Sequence, residues 1–313
     1  AGLTLAYLLV DRGREFAAAG ASFGATAGSI AGLITVVTVY YFRKNSLRND
    51  VERAQQINGD RSRDILARIL IIAVPITIGA AIMPIMNTID AGIVMRRLQE
   101  TGWTEEAANG LYGQLTGLVG PLINFPQVMT QAIAMSLVPA ISVAYKQKDQ
   151  AFLSYNIRLG IRTAMIIGLP CALGFMTLSE PLMLLLYPFQ KASAVSAAPC
   201  LFIMAFGVIF LSTVQTLTGV LQGLGKQMIP VRNLLIGAVV KVVLTYTLTG
   251  VGSINVKGAA IGTVAAYIIA STLNIAAVKR LTGVKFDIGL TYVRPILSAL
   301  TMSAAVWVSF RIL

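Results

Sequence analysis

Histidine is absent from the 313 residues. That absence excludes Ser-His-Asp and Cys-His catalysis and most zinc sites. Cysteine is scarce. Cys171 and Cys200 both fall in apolar segments, which excludes a disulfide scaffold and reads as two small buried side chains. Charge is scarce too, at 12% of the chain, against roughly 25% in soluble domains. Acids are the rarer sign, with 13 Asp and Glu against 25 Lys and Arg. No phosphate loop of the Walker type is present. Leu221-Gln-Gly-Leu-Gly-Lys226 is too short for one and reads as a helix C-cap and turn. What remains is apolar, with 56% hydrophobic residues and a mean hydropathy of +0.75. These values exclude disorder and an ordinary soluble domain and point to an integral membrane protein.

Apolar runs recur along the whole length. Full spans are expected near 20–42, 65–95, 111–144, 158–186, 195–223, 231–250, 257–278 and 290–313. Each is long enough to cross a hydrocarbon core of roughly 30 Å as a helix. In lipid the backbone must satisfy its own hydrogen bonds, so runs this long mean helices. The opening run, 3–10, is too short to cross and reads as the tail of a span that begins elsewhere. Its flanks do not fit a signal peptide.

Basic residues fall on every second loop. Segments 43–68, 146–162, 226–232 and 279–294 hold 17 Lys and Arg against 6 acids, while the alternate loops and the C-terminus hold 7 against 6. The first set is therefore cytoplasmic. The basic excess is a topology signal, which removes the reason to expect a nucleic-acid partner. Tyr40, Tyr41 and Tyr145 sit at the cytoplasmic edges, and Tyr187 and Trp307 at the outer ones.

Two regions look alike. Leu3-Thr-Leu-Ala-Tyr-Leu-Leu, a loop and Ala19-Gly-Ala-Ser-Phe-Gly24 parallel Leu244-Thr-Tyr-Thr-Leu-Thr, a loop and Lys257-Gly-Ala-Ala-Ile-Gly262. Gly20, Gly24, Gly28 and Gly32 lie four apart, as do Gly258, Gly262, Ala266 and Ala270. Each set makes a smooth helix face that admits a neighbouring backbone. The repeat implies the last two helices of each of two homologous lobes, a common transporter plan. Residues 1–43 are then expected to end a first lobe, with 44–64 a polar cytoplasmic linker. Residues 65–280 would form a second six-helix lobe and 281–313 an additional helix.

Embedded polar groups are the candidates for function. Lys241 lies deep in its span, where an unpaired charge costs about 2.5–3.5 kcal/mol on the insertion scale. It reads as a cavity-facing cation or, less simply, a snorkelling one. Asp90, with Asn87 three residues before it and Arg96 and Arg97 six and seven after, reads as a local ion pair or an interfacial acid. Asn124, Gln127 and Gln131 form one polar stripe, and Gln215, Thr218 and Gln222 another. Such stripes either bond neighbouring helices or line a wet cavity. Prolines 75, 84, 121, 126, 139 and 170 interrupt the same helices and permit bending.

The order of motifs resembles a known family. Val74-Pro-Ile-Thr-Ile-Gly-Ala, Met83-Pro-Ile-Met-Asn-Thr-Ile-Asp90 and Val94-Met-Arg-Arg-Leu98 are similar to the seventh helix of the stage V sporulation protein B group. Leu111-Tyr-Gly-Gln-Leu, Asn124-Phe-Pro and Ser136-Leu-Val-Pro-Ala-Ile-Ser resemble its eighth. Thr218-Gly-Val-Leu-Gln-Gly-Leu-Gly-Lys226 resembles its tenth and Gly237-Ala-Val-Val-Lys241 its eleventh. These are polysaccharide-biosynthesis flippases of the MOP superfamily, related to lipid II flippases of the MurJ type.

The resemblance implies an all-α, polytopic, two-lobed transporter of the bacterial cell membrane rather than an enzyme. It also implies an undecaprenyl-pyrophosphate-linked oligosaccharide substrate, a peptidoglycan precursor of the lipid II kind, with cell-wall synthases as candidate partners. Lys241 would be a cavity cation facing pyrophosphate, with Arg96 and Arg97 near the outer mouth. Some relatives place sodium among helices seven, eleven and twelve, with acids and an Asn. Here Asn233 stands in the eleventh, followed four residues on by Gly237 rather than an acid. No cofactor or metal is expected. A small-molecule antiporter of the multidrug branch would carry more embedded acids, and a non-transporting cell-wall scaffold would tolerate cavity substitutions; both stay open on the residues alone.

Overall fold

A computed structural model describes residues 2–54, 62–286 and 289–312. Among them there is no strand, and eight helical stretches are long and apolar enough to cross a membrane. The chain divides into two units, Ala1–Arg68 and Ile69–Leu313.

In the first unit, α1 (Gly2–Leu9) and a short 3-10 turn (Val10–Arg12) lead through Gly13, at φ +119°, into α2 (Arg14–Ala54). The hairpin closes where glycine allows it. A Cβ at Gly20 would stand 3.0 Å from the Leu5 carbonyl. α1 is only eight residues long, so it covers the start of the glycine face, and Gly28 and Gly32 meet no neighbour from it. The polar stretch after Phe42 continues α2 as far as Ala54; the linker's residues 55–61 lie outside the described residues.

The second unit is built around one helix. α3 (Ser62–Glu100) enters it, followed by α4 (Glu105–Gly113), a π-helical turn (Gln114–Val119) and α5 (Gly120–Lys146). Then come α6 (Gln150–Thr177), α7 (Ser179–Leu186), α8 (Lys191–Gly223), α9 (Met228–Thr249) and α10 (Lys257–Thr282), and after a second π turn (Gly289–Val293) α11 (Arg294–Ile312). α8 is the centre, with α5, α6, α7 and α10 packed against it; α9 lies on α10 and α11 on α6. Small residues permit this. Built Cβ atoms would meet the Ala134 carbonyl 2.4 Å from Gly219 and the Ser212 hydroxyl 2.6 Å from Gly168.

Three local features follow from sequence chemistry. Pro121 has no N–H and its ring crowds the carbonyl four residues back; the wider π turn at Gln114–Val119 relieves that crowding. The Tyr187 hydroxyl donates to the Leu118 carbonyl inside this turn, at 3.1 Å. The run 158–186, expected as one span, breaks at Leu178 (φ −111°, ψ 26°), because Ser179-Glu180-Pro181 starts a new helix. α8 ends in a left-handed Gly225 (φ +70°), with Lys226 N–H donating to the Leu221 carbonyl at 2.8 Å, the cap expected there.

α9 and α10 reproduce the smooth-face hairpin. A Cβ at Gly258 would sit 2.6 Å from the Thr249 nitrogen, and one at Gly262 would sit 3.0 Å from the Lys241 carbonyl. α3 differs from the rest. It is held to α9 chiefly by side chains, with Ile82 and Met86 packed on Val231 and Ala238.

Candidate functional site

Three polar clusters emerge in the second unit. The first is an ion pair. Lys241 lies thirteen residues into α9, about 20 Å along it at 1.5 Å per residue. Its ammonium is paired with the Asp90 Oδ2 on α3. Both residues are only 6% exposed. The other carboxylate oxygen, Asp90 Oδ1, and the hydroxyls of Thr245 and Thr249 one and two turns on have no hydrogen-bond partner among the described residues. Lys241 is thus neither snorkelling nor free; a carboxylate from another helix holds it.

The second cluster lies farther along α3. Arg96 Nε donates to Glu100 at 3.1 Å, and Arg97 pairs with the same carboxylate. Arg97 Nε also donates to the Tyr246 carbonyl at 3.0 Å, and its guanidinium stacks 4.3 Å from the Tyr246 ring centre. The absent side chain of Gly250 leaves the notch that receives it. A cavity of about 450 Å³ lies here, lined by Arg96, Arg97, Tyr246 and the Thr88–Ile93 stretch of α3. Asp90 therefore does not pair with these arginines; Glu100 does.

The third cluster joins the two glutamine stripes. Gln127 and Gln131 of α5 and Gln215 and Gln222 of α8 line one cavity of about 270 Å³ with Tyr267 of α10. A neighbouring cavity of about 310 Å³ shares Gln131, Thr218 and Gln222. Thr130 donates to Gln215 Oε1 at 2.6 Å, fixing that amide to α5. Leu234 of α9 lines both cavities, and Lys241 lies seven residues farther on the same face. Asn124 is exposed and lines neither cavity; Asn87 is exposed, its carbonyl accepting from Tyr112 at 3.1 Å.

Asn233 donates to Asn274 Oδ1 at 2.8 Å, deep between α9 and α10. One turn on, a Cβ at Gly237 would stand 2.7 Å from the Ala266 carbonyl. This position is a helix crossing, which accounts for a glycine where an acid would be needed to hold a cation. Sequence reasoning missed Tyr267, Glu100 and Tyr246. Tyr267 lies on a stripe with Thr263, Ser271 and Asn274 at spacings of four, four and three, a signal of the same kind as the glutamine stripes, and Glu100 sits at the charged end of α3.

Residues 121–313, more than half of the chain, match the family described as Lipid II flippase MurJ. The chain belongs to the MurJ family of lipid II flippases. It is similar to three proteins of Bacillus subtilis (strain 168). The "Uncharacterized membrane protein YabM" is 27% identical over 87% of this chain and 49% of its own length. "Stage V sporulation protein B" is 26% identical over 90% and 53%. "Lipid II flippase MurJ" is 24% identical over 93% and 53%. The chain spans about half the length of these curated relatives. MurJ-family proteins are flippases of lipid-linked oligosaccharides, transporters rather than catalysts. With eight apolar helices, this MurJ-family chain is a multi-pass protein of the bacterial cytoplasmic membrane.

Proposed function

We propose that the full-length protein moves an undecaprenyl-pyrophosphate-linked peptidoglycan precursor of the lipid II type from the inner to the outer leaflet. It does so by alternating access between two helical lobes, of which residues 1–43 end the first and 65–280 form the second, with 44–64 linking them and 281–313 added. Cell-wall synthases would receive the product.

The observation that carries this reading is the embedded Lys241, held by an acid from another helix on the face that carries the glutamine-lined cavities. A pyrophosphate entering that cavity competes with Asp90 for the ammonium. Handing Lys241 to phosphate removes one of the polar ties between α9 and α3, leaving the apolar packing of Ile82 and Met86 and the contact of Arg97 with Tyr246. Substrate binding is thereby coupled to a helix that can move. Gln127, Gln131, Gln215 and Gln222 supply neutral donors and acceptors for sugar hydroxyls, which bind without trapping a charge. Arg96 and Arg97, clamped by Glu100, stand at the outer end of α3.

Complementation tests it. The full-length protein, with and without Lys241→Ala, is expressed in a bacterium depleted of its lipid II flippase, and lipid II in the outer leaflet is measured. Rescue that disappears with the substitution is the expected result. Rescue by both keeps the activity and discards the residue. No rescue, with the protein present in the membrane, favours another lipid-linked sugar or a scaffold.

A further inference from the structure

A cleft between α6 and α11 shares no lining residue with the glutamine-lined cavities. α6 and α11 pack together and leave a cavity of about 250 Å³ between them, lined by Arg162, Ile166 and Pro170 on one side and Arg294, Pro295 and Ser298 on the other. Arg162 lies fifteen residues before the outer end of α6 and Arg294 eighteen before that of α11, about 22 and 27 Å at helical rise. In a core of roughly 30 Å measured from those ends, Arg162 falls about 8 Å and Arg294 about 3 Å inside the cytoplasmic edge, each the last residue of a basic segment, 146–162 and 279–294.

The two arginines differ from the other embedded cations. Lys241 has Asp90, and Arg96 and Arg97 have Glu100. Arg162 and Arg294 are exposed and have no carboxylate partner among the described residues. Two guanidiniums with no carboxylate partner among the described residues, set on an apolar cleft at this depth, leave positive charge that an anion from the bilayer can neutralise. Guanidinium binds phosphate through paired N–H donors. The walls, Ile166, Pro170 and Pro295, are apolar and suit the first carbons of acyl chains. Pro170 has no N–H, so the Ile166 carbonyl lacks its helical bond and, with the Ser298 hydroxyl, can accept from a hydroxylated head group. At roughly 30 Å³ per water-sized group, the cavity holds about eight such groups, a phosphate and part of a glycerol.

We infer that the cleft between α6 and α11 binds the phosphate of one anionic glycerophospholipid through Arg162 and Arg294. The occupant is a structural lipid of the cytoplasmic leaflet. The site does not depend on what the protein transports.

The test uses the full-length protein purified in detergent, with native mass spectrometry counting bound lipid. The probes are phosphatidylglycerol, phosphatidylcholine and inorganic phosphate, each added alone. One retained phosphatidylglycerol per protein is expected, with phosphatidylcholine and phosphate weak. Arg162→Gln and Arg294→Gln should each weaken binding about fivefold, and the double variant by more than tenfold. Lys146→Gln, which removes an exposed cytoplasmic charge away from the cleft, should change little. Should the double variant fail to fold, the single Arg294→Gln at the exposed start of α11 decides. Equal retention of phosphatidylcholine, equal binding of free phosphate, a Lys146→Gln effect matching that of Arg162→Gln, or no effect of either arginine substitution would overturn the assignment.

Discussion

Replacing Lys241 with Met leaves Asp90 buried at 6% exposure, with no cation to face. Breaking a buried pair in this way costs about 3–5 kcal/mol. Asp90→Leu strands the ammonium and should cost a similar amount. The double variant, Lys241→Met with Asp90→Leu, removes both charges and fills the space with apolar atoms. Such replacements are neutral or stabilising by about 1–4 kcal/mol. With each single variant costing about 3–5 kcal/mol and the double nothing, the double-mutant cycle should show a coupling of about 6–10 kcal/mol, far from additive. Unfolding of the full-length protein in a detergent series measures it, and flipping in proteoliposomes measures activity in parallel. The double variant should fold like the parent yet flip poorly, because no cation remains to meet pyrophosphate. Additive single effects would refute the pairing. A stable double variant with full transport would refute the role of Lys241 in the path.

Two further outcomes follow from the α9–α10 contact. Gly237→Val places a branched side chain against the Ala266 carbonyl, 2.7 Å from its Cβ; a loss of about 1–3 kcal/mol is expected in the same unfolding assay, and none would mean the helices are farther apart. Asn233→Leu alone leaves Asn274 unpaired and should cost about 1–3 kcal/mol, whereas Leu at both positions should restore most of it; equal losses in single and double variants would argue against the bond.

The spans were legible because lipid imposes a length and a composition. The glycine faces at Gly20 and Gly258 were readable from a spacing of four, since close helix approach needs small residues in a row. The Gln127–Gln131 and Gln215–Gln222 stripes were readable for the same geometric reason. Their meeting in one cavity was not, because nothing in α5 names α8 as its neighbour. Lys241 announced itself by cost alone. Its partner did not, because Asp90 lies 151 positions away and has two arginines much closer in sequence. Those arginines are taken by Glu100, a competition only the fold reveals. The break at Leu178 escaped notice because an unbroken apolar run masks a change of helix. Pro181 was its one sign.

The π turn at Gln114–Val119 divides the membrane crossing Glu105–Lys146 in two. Each π turn holds one residue more than the helix needs, so positions before and after it are out of phase by one residue, about 100° of rotation. α4 can then turn Tyr112 toward the α3 carbonyl of Asn87 while α5 turns Gln127 and Gln131 toward α8. A straight helix of the same sequence would carry both sets on a single wheel and tie one orientation to the other. The surplus residue lets one membrane crossing serve two neighbours, as a seam lets one cloth take two cuts.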